Sequence, residues 1–130
     1  MSNAANYIKK WHEVILEGKM ELLDNLLNDN ATFYSPVVFT PLEGKEITKM
    51  YLIAAGLSFN MNSFKYTREV NDGYHSVLEF ETTIDEISVN GVDMIEWDDD
   101  GKILSFKVMI RPFKAVEIVR RKMVEALEQI

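Results

Sequence analysis

The stretch over residues 91–112 constrains the fold more than any other: Gly-Val-Asp-Met-Ile-Glu-Trp-Asp-Asp-Asp-Gly-Lys-Ile-Leu-Ser-Phe-Lys-Val-Met-Ile-Arg-Pro. Two alternating runs, residues 92–97 and 103–110, flank the polar turn Asp98-Asp99-Asp100-Gly101. Alternation on both sides of a turn is the pattern of an antiparallel hairpin with one buried face. Asp93 is the anomaly within it. By period 2 it shares a face with Ile95 and Trp97, so a carboxylate stands among large apolar side chains. Nowhere else does the sequence point so directly at chemistry.

Upstream the apolar period changes. Over residues 6–17 Tyr7, Ile8, Trp11, Val14 and Ile15 recur at helical spacing, and Gly18 stops that helix. Met20, Leu22, Leu23, Leu26 and Leu27 mark a second helix ending in the breaker cluster Asn28-Asp29-Asn30. Residues 31–38 turn extended, because the residue before Pro36 is pushed toward β geometry, and Phe33 and Ser35 fall on one face. A third helix covers residues 45–57. Residues 64–70, 74–84, 89–97 and 103–110 then read as four strands, with Asn90-Gly91 a candidate bulge. A last amphipathic helix runs over residues 114–130, carrying Val116, Val119, Met123, Ala126, Leu127 and Ile130 on its stripe and Arg120, Arg121 and Lys122 on or near its wet side.

This order gives an α+β plan: a cone-shaped, curved antiparallel sheet packed against N-terminal helices, with a C-terminal helix. At 130 residues and 47% hydrophobic content, one domain over residues 1–130 is expected, residues 1–5 being a disordered or tag-derived start. A formal net charge of −7 argues against nucleic acid and anionic membrane surfaces as partners. The lack of cysteine removes thiolate nucleophiles, disulfides and cysteine-ligated zinc. With no apolar leader and no run near the roughly 18 residues that span a bilayer, the cytoplasm is the expected compartment.

The element order, together with Asn30-Ala31-Thr32-Phe33-Tyr34-Ser35-Pro36, Pro41-Leu42-Glu43-Gly44 and the run from Val92 to Ile103, resembles the nuclear transport factor 2-like superfamily with its cystatin-like roll. Within it the chain is most similar to SnoaL-like and ketosteroid-isomerase-like proteins, from about Tyr7 to the last helix. The resemblance implies a cone that holds a small hydrophobic molecule. A ketosteroid isomerase uses a first-helix tyrosine and a protonated aspartic acid as an oxyanion hole, and a pre-proline aspartate as base. The matching positions here read Trp11, Asp93 and Ser35, so only the Asp93 carboxyl is retained and that mechanism is disfavoured. SnoaL-like cyclases work with one pocket carboxylate, which implies Asp93 as acid and base with no cofactor. The Asp-Arg-Asp arrangement of the epoxide hydrolases is not matched, since Arg111 shares the outward register of Lys107 and Met109.

Asp93 has two readings at this level: a desolvated carboxyl with a raised pKa, or an aspartate bonded to backbone at a bulge. Trp11, Phe33, Ser35, Phe80, Ile95, Trp97, Phe106 and Val108 are the expected ligand-binding residues. His12 is a candidate for the pocket mouth or a half-exposed helix residue, and His75 reads as a surface residue. Neither has metal-ligand spacing around it, and Asp98-Asp99-Asp100 lacks the ligand spacing of a calcium loop, so no metal is expected. Met94 and Met109 fall on the outward face, whose apolar character suggests a homodimer through the sheet. Two functions follow: a small-molecule-binding protein, acting as an isomerase, cyclase or dehydratase on a hydrophobic carbonyl compound if it catalyses at all, or a non-catalytic interaction domain that uses the sheet face.

Overall fold

The computed structural model describes residues 3–130. Helix α1 (Asn3–Leu16) buries Ala4, Ile8, Trp11 and Val14, one residue per turn along a single stripe. Met1 and Ser2, part of the expected disordered start, lie outside the described residues. Asn3, Ala4 and Ala5 already belong to α1, and the Ala4 N–H donates to the Gly73 carbonyl at 2.9 Å. Gly18 leaves the helix at φ +70°, a region closed to most side chains.

The second helical segment is shorter than its leucines predict. A 3-10 turn (Met20–Leu22) and one α turn, α2 (Leu23–Leu26), are all that form, and strand β1 (Leu27–Tyr34) begins before the breaker cluster. Asn28, Asp29 and Asn30 lie within β1, where the register against its neighbour shifts between Leu27 and Thr32. There the Asn30 N–H donates to Asn28 Oδ1 at 2.7 Å, a side-chain bond that competes with the ladder. A two-residue strand, β2 (Leu42–Glu43), pairs with β1, and helix α3 (Lys45–Ser58) follows. Thr48 anchors α3 by donating its hydroxyl to the Ala31 carbonyl at 3.1 Å.

Four long strands complete the sheet: β3 (Lys65–Asp72), β4 (His75–Ile84), β5 (Ile87–Trp97) and β6 (Ile103–Arg111). They form the expected antiparallel meander, and the whole sheet runs β2-β1-β6-β5-β4-β3. It is mixed, because β1 lies parallel to β6. Asp85 and Glu86 make the two-residue turn between β4 and β5 with positive φ at both positions, which matches the twist of a tight hairpin. At the next turn Asp98 Oδ1 accepts from the N–H groups of Asp100 and Lys102 at 2.8 and 2.9 Å, so this acidic run is a side-chain-capped turn. Helix α4 (Phe113–Leu127) buries Ala115, Ile118, Val119, Met123 and Ala126 and packs on α3, β5 and β6. Among the described residues no helix is long and apolar enough to cross a membrane.

The bulge expected at Asn90-Gly91 is not there. Pairing of β5 with β4 and β6 runs unbroken through both residues, and the register shifts lie instead at Tyr66/Arg68 and Glu96/Trp97. Gly91 is required for space: a Cβ there would lie 2.7 Å from Phe80 Cε2 and 2.9 Å from the Met109 carbonyl oxygen. One obstacle is backbone and cannot swing aside. Gly91→Ala is therefore expected to lower stability by about 1–3 kcal/mol, the usual cost of overpacking. Urea unfolding checks this, and an unchanged midpoint would show that the ring and strand yield freely.

Candidate active site

Because β5 is paired on both sides, alternate side chains from Val89 to Trp97 have no choice of face. Val89, Gly91, Asp93, Ile95 and Trp97 all point into the core. Asp93 stands at the middle of this row, opposite Leu78 of β4 and Val108 of β6, and is 6% exposed. One other element reaches it, and a second holds that contact in place. Tyr66 of β3 donates its hydroxyl proton to Asp93 Oδ2 at 2.6 Å, and the Trp11 indole N–H of α1 donates to the Tyr66 oxygen at 2.9 Å. Asp93 Oδ1 has no hydrogen-bond partner among the described residues, and no ion pair involves this carboxyl.

Asp93 forms part of the wall of an apolar cavity whose other walls include Trp11, Phe33, Phe106 and Val108 from the first helix and the sheet. Helices α3 and α4 close it with Leu52, Ala55, Val119 and Met123, and Phe59 and Phe64 stack at one side with ring centroids 6.0 Å apart. The cavity volume is about 30 Å³. That is room for two or three waters at about 10–15 Å³ each, so a larger guest requires lining side chains to move.

The electrostatics follow from this setting. Burial pushes the Asp93 carboxyl up to about 7, with the Tyr66 hydrogen bond acting in the opposite direction. Burial and then the neighbouring Asp93 charge raise Tyr66 well above the ordinary phenol value, so it stays a proton donor throughout the neutral range. The group able to exchange protons near neutrality is thus the carboxyl.

Four of the eight expected ligand-binding residues, Trp11, Phe33, Phe106 and Val108, meet Asp93 at the cavity; Ser35, Phe80, Ile95 and Trp97 do not border it. Ser35 lies past the end of β1, so the alternation that linked it to Phe33 has stopped, and its Oγ accepts the Val37 N–H at 3.1 Å while Pro36 borders the cavity. Phe80 is sealed behind Phe64, with centroids 5.2 Å apart. Trp97 belongs to the far end of β5, where its indole N–H donates to Ser76 Oγ at 2.9 Å and Tyr7 packs on its ring. His12 pairs with Glu69 at 2.7 Å on the exposed side of α1, and His75 is a surface residue. Arg111 is exposed, and no cluster of His, Asp and Glu among the described residues is placed to hold a metal ion.

Tyr66 is the site residue that sequence reasoning missed. Its signal was present, since Phe64 and Tyr66 alternate into the same face at the start of β3, but a tyrosine in a strand of otherwise polar residues reads as surface.

Neither a family model nor a curated protein sequence matches the chain. Solved structures do. A steroid delta-isomerase from Pseudomonas aeruginosa is 34% identical over 99% of this chain and 94% of its own, with a TM-score of 0.92. An uncharacterized bacterial protein with a cystatin-like fold from Silicibacter pomeroyi DSS-3 is 29% identical over 92% of this chain and 83% of its own, TM-score 0.84. An NTF2-like protein of unknown function from Mesorhizobium loti shares the fold at 15% identity, 84% and 91% coverage and a TM-score of 0.73.

The raised carboxyl has a consequence for stability. An unfolded aspartate titrates near 3.9, so between about pH 4 and pH 7 the folded chain holds a proton that the unfolded chain releases. The contribution is complete below about pH 4, falls as pH rises through 7 and is flat above it, a loss on the order of 4 kcal/mol. Asp93→Asn removes this slope while keeping an acceptor for Tyr66. In urea unfolding the variant should gain on the wild type between pH 5 and pH 8; an equal difference at both values would contradict a desolvated carboxyl.

Proposed function

Because this chain belongs to the nuclear transport factor 2-like superfamily, we propose that it binds a small hydrophobic carbonyl compound and moves a proton on it, with Asp93 as general acid and base and no cofactor. The observation that carries this reading is the Asp93 carboxyl, buried at an apolar cavity wall with the Tyr66 hydroxyl as its hydrogen-bond partner and its pKa pushed to about 7. A general acid–base group works best when its pKa lies near the working pH, because both forms are then populated. The likeness to a steroid delta-isomerase over almost the whole chain supports isomerisation as the reaction class.

In that reaction the ionised carboxyl takes a proton from the carbon next to the carbonyl and returns it to another carbon of the conjugated system, so no proton is gained or lost overall. One carboxyl serves both steps. Ser35 is assigned no base role, since it does not border the cavity and, among the described residues, no acceptor is placed to take its proton.

Exchange of the acidic hydrogen of a β,γ-unsaturated ketone into deuterated water tests this directly. The wild type should accelerate exchange, and Asp93→Asn should lose about 10²-fold or more of it. Equal rates in the two proteins, or no acceleration above buffer by the wild type, would overturn the acid–base role.

The small cavity and the convex sheet face favour a second reading, in which assembly through the sheet is the function. Val70, Val77, Met94 and Met109 are all between 36% and 63% exposed on that face. A second copy of the chain is the proposed occupant, under either reading. Light scattering should report a dimer for the wild type and a monomer for Val77→Glu combined with Met109→Lys. A monomeric wild type would remove the sheet-face proposal.

A further inference from the structure

The hydrogen-bond inventories of Trp11, Tyr66 and Asp93, taken with the cavity beside the carboxyl, favour one arrangement of protons. An indole has a proton to give and nothing with which to accept, so in the 2.9 Å contact the Tyr66 oxygen is the acceptor. The phenol has a single proton, and the carboxylate oxygen 2.6 Å away is Asp93 Oδ2. If Oδ2 instead carried a proton and gave it to the phenol, the phenol's own proton would have no acceptor among the described residues. An O–H on Oδ1 has no acceptor among the described residues either, but Asp93 borders the cavity and Tyr66 does not, so the Oδ1 proton is the one that a guest there can meet.

We propose that Tyr66, held by Trp11, is a positioning residue that commits Asp93 Oδ2 to the phenol and leaves Oδ1 as the oxygen that gives and takes protons in the cavity. This rests on the reading of Asp93 as the acid–base group and assigns the work to one of its two oxygens. When the carboxyl is neutral, its O–H is on Oδ1 and faces the cavity, so it selects a ligand that presents an acceptor there, such as a carbonyl oxygen. When the carboxyl is ionised, the phenol withdraws charge from Oδ2 and the unbonded Oδ1 is the more basic site. Tyr66 is not itself a donor to the ligand, because its one proton is already placed.

On the Asp93 carboxyl the acting causes are burial and the Tyr66 bond, while the Glu69 charge adds the last of the causes that raise Tyr66. The cavity side chains contributed by α3 and α4 are apolar, and so are Leu78 and Val108, which flank Asp93 in the sheet. Glu69 of β3 contacts His12 of α1 at 2.7 Å, and the His12 ring lies 6.4 Å from that of Tyr66.

Carbon NMR of aspartate-labelled full chain, titrated for wild type, Tyr66→Phe and His12→Gln, separates the two ideas. Loss of the phenol should raise the Asp93 midpoint by about 1–2 pH units, a 10- to 100-fold gain in proton affinity, as expected for a hydrogen bond to a charged group. His12→Gln should leave the midpoint in place, and the pH profile of ketone exchange should move with Tyr66→Phe by the same amount. The Trp11 indole resonance, assigned by Trp11→Phe, should follow the Asp93 titration in the wild type, a measurement that needs no folded Tyr66 variant. A wild-type midpoint near 7 that Tyr66→Phe leaves unchanged, an equal shift in His12→Gln, or an indole that does not sense Asp93 overturns the Tyr66 role while the acid–base reading stands. A wild-type midpoint in the ordinary carboxylate range overturns the acid–base reading, and an upward move in Tyr66→Phe would still support the committed oxygen.

Discussion

A carboxyl held in the middle of a doubly paired strand is the constraint on which the site depends. Asp93 cannot turn outward without slipping β5 by one residue, and that slip would expose Ile95 and Trp97 as well. The hydrophobic burial of its row therefore fixes its position. Among the described residues no cation is placed against it, so desolvation is answered by one phenol and by retention of the proton. A pKa near neutrality is the chemical result of a packing requirement.

The rest of the fold supplies the walls around that group. Gly91 allows the Phe80 ring and the Met109 backbone to close over β5, which brings Phe64 and Phe59 up beside the cavity. Helix α1 contributes Trp11, whose ring meets Phe106 edge-on at 4.9 Å and whose indole N–H secures Tyr66. Outside the cavity, a separate line of hydrogen bonds runs from His12 through Glu69, Asn71 and Ser76 to Trp97, and it fastens α1 to β3, β4 and β5. Among the polar contacts that tie the first helix to the sheet, one thus lies beside the cavity and one near the surface.

Much of this was legible in the residue pattern. Period 2 placed Asp93 inward and Met94 and Met109 outward, and the turn residues separated the four strands of the meander. What escaped was set by tertiary contacts. Strand β1 starts inside a leucine-rich run because pairing with β6 outweighs local helix propensity, and that pairing is parallel, a relation no local signal reveals. Gly91 carried the signature of a bulge, yet its cause is a ring lying across the strand. Ser35 followed Phe33 by alternation, but the alternation stopped one residue earlier at Tyr34. Tyr66 stayed hidden because its importance comes from two partners 55 and 27 residues away.

On this reading Asp93 is a neutral carboxylic acid just below neutral pH, with its proton available in the cavity. Isotope-edited infrared spectroscopy of aspartate-labelled protein measures this without a ligand. At pH 6 the wild type should show the carbonyl stretch of a buried protonated carboxyl, and that band should fade through pH 7 and be missing in Asp93→Asn. A wild-type spectrum at pH 6 that contains ionised aspartate bands alone would contradict it.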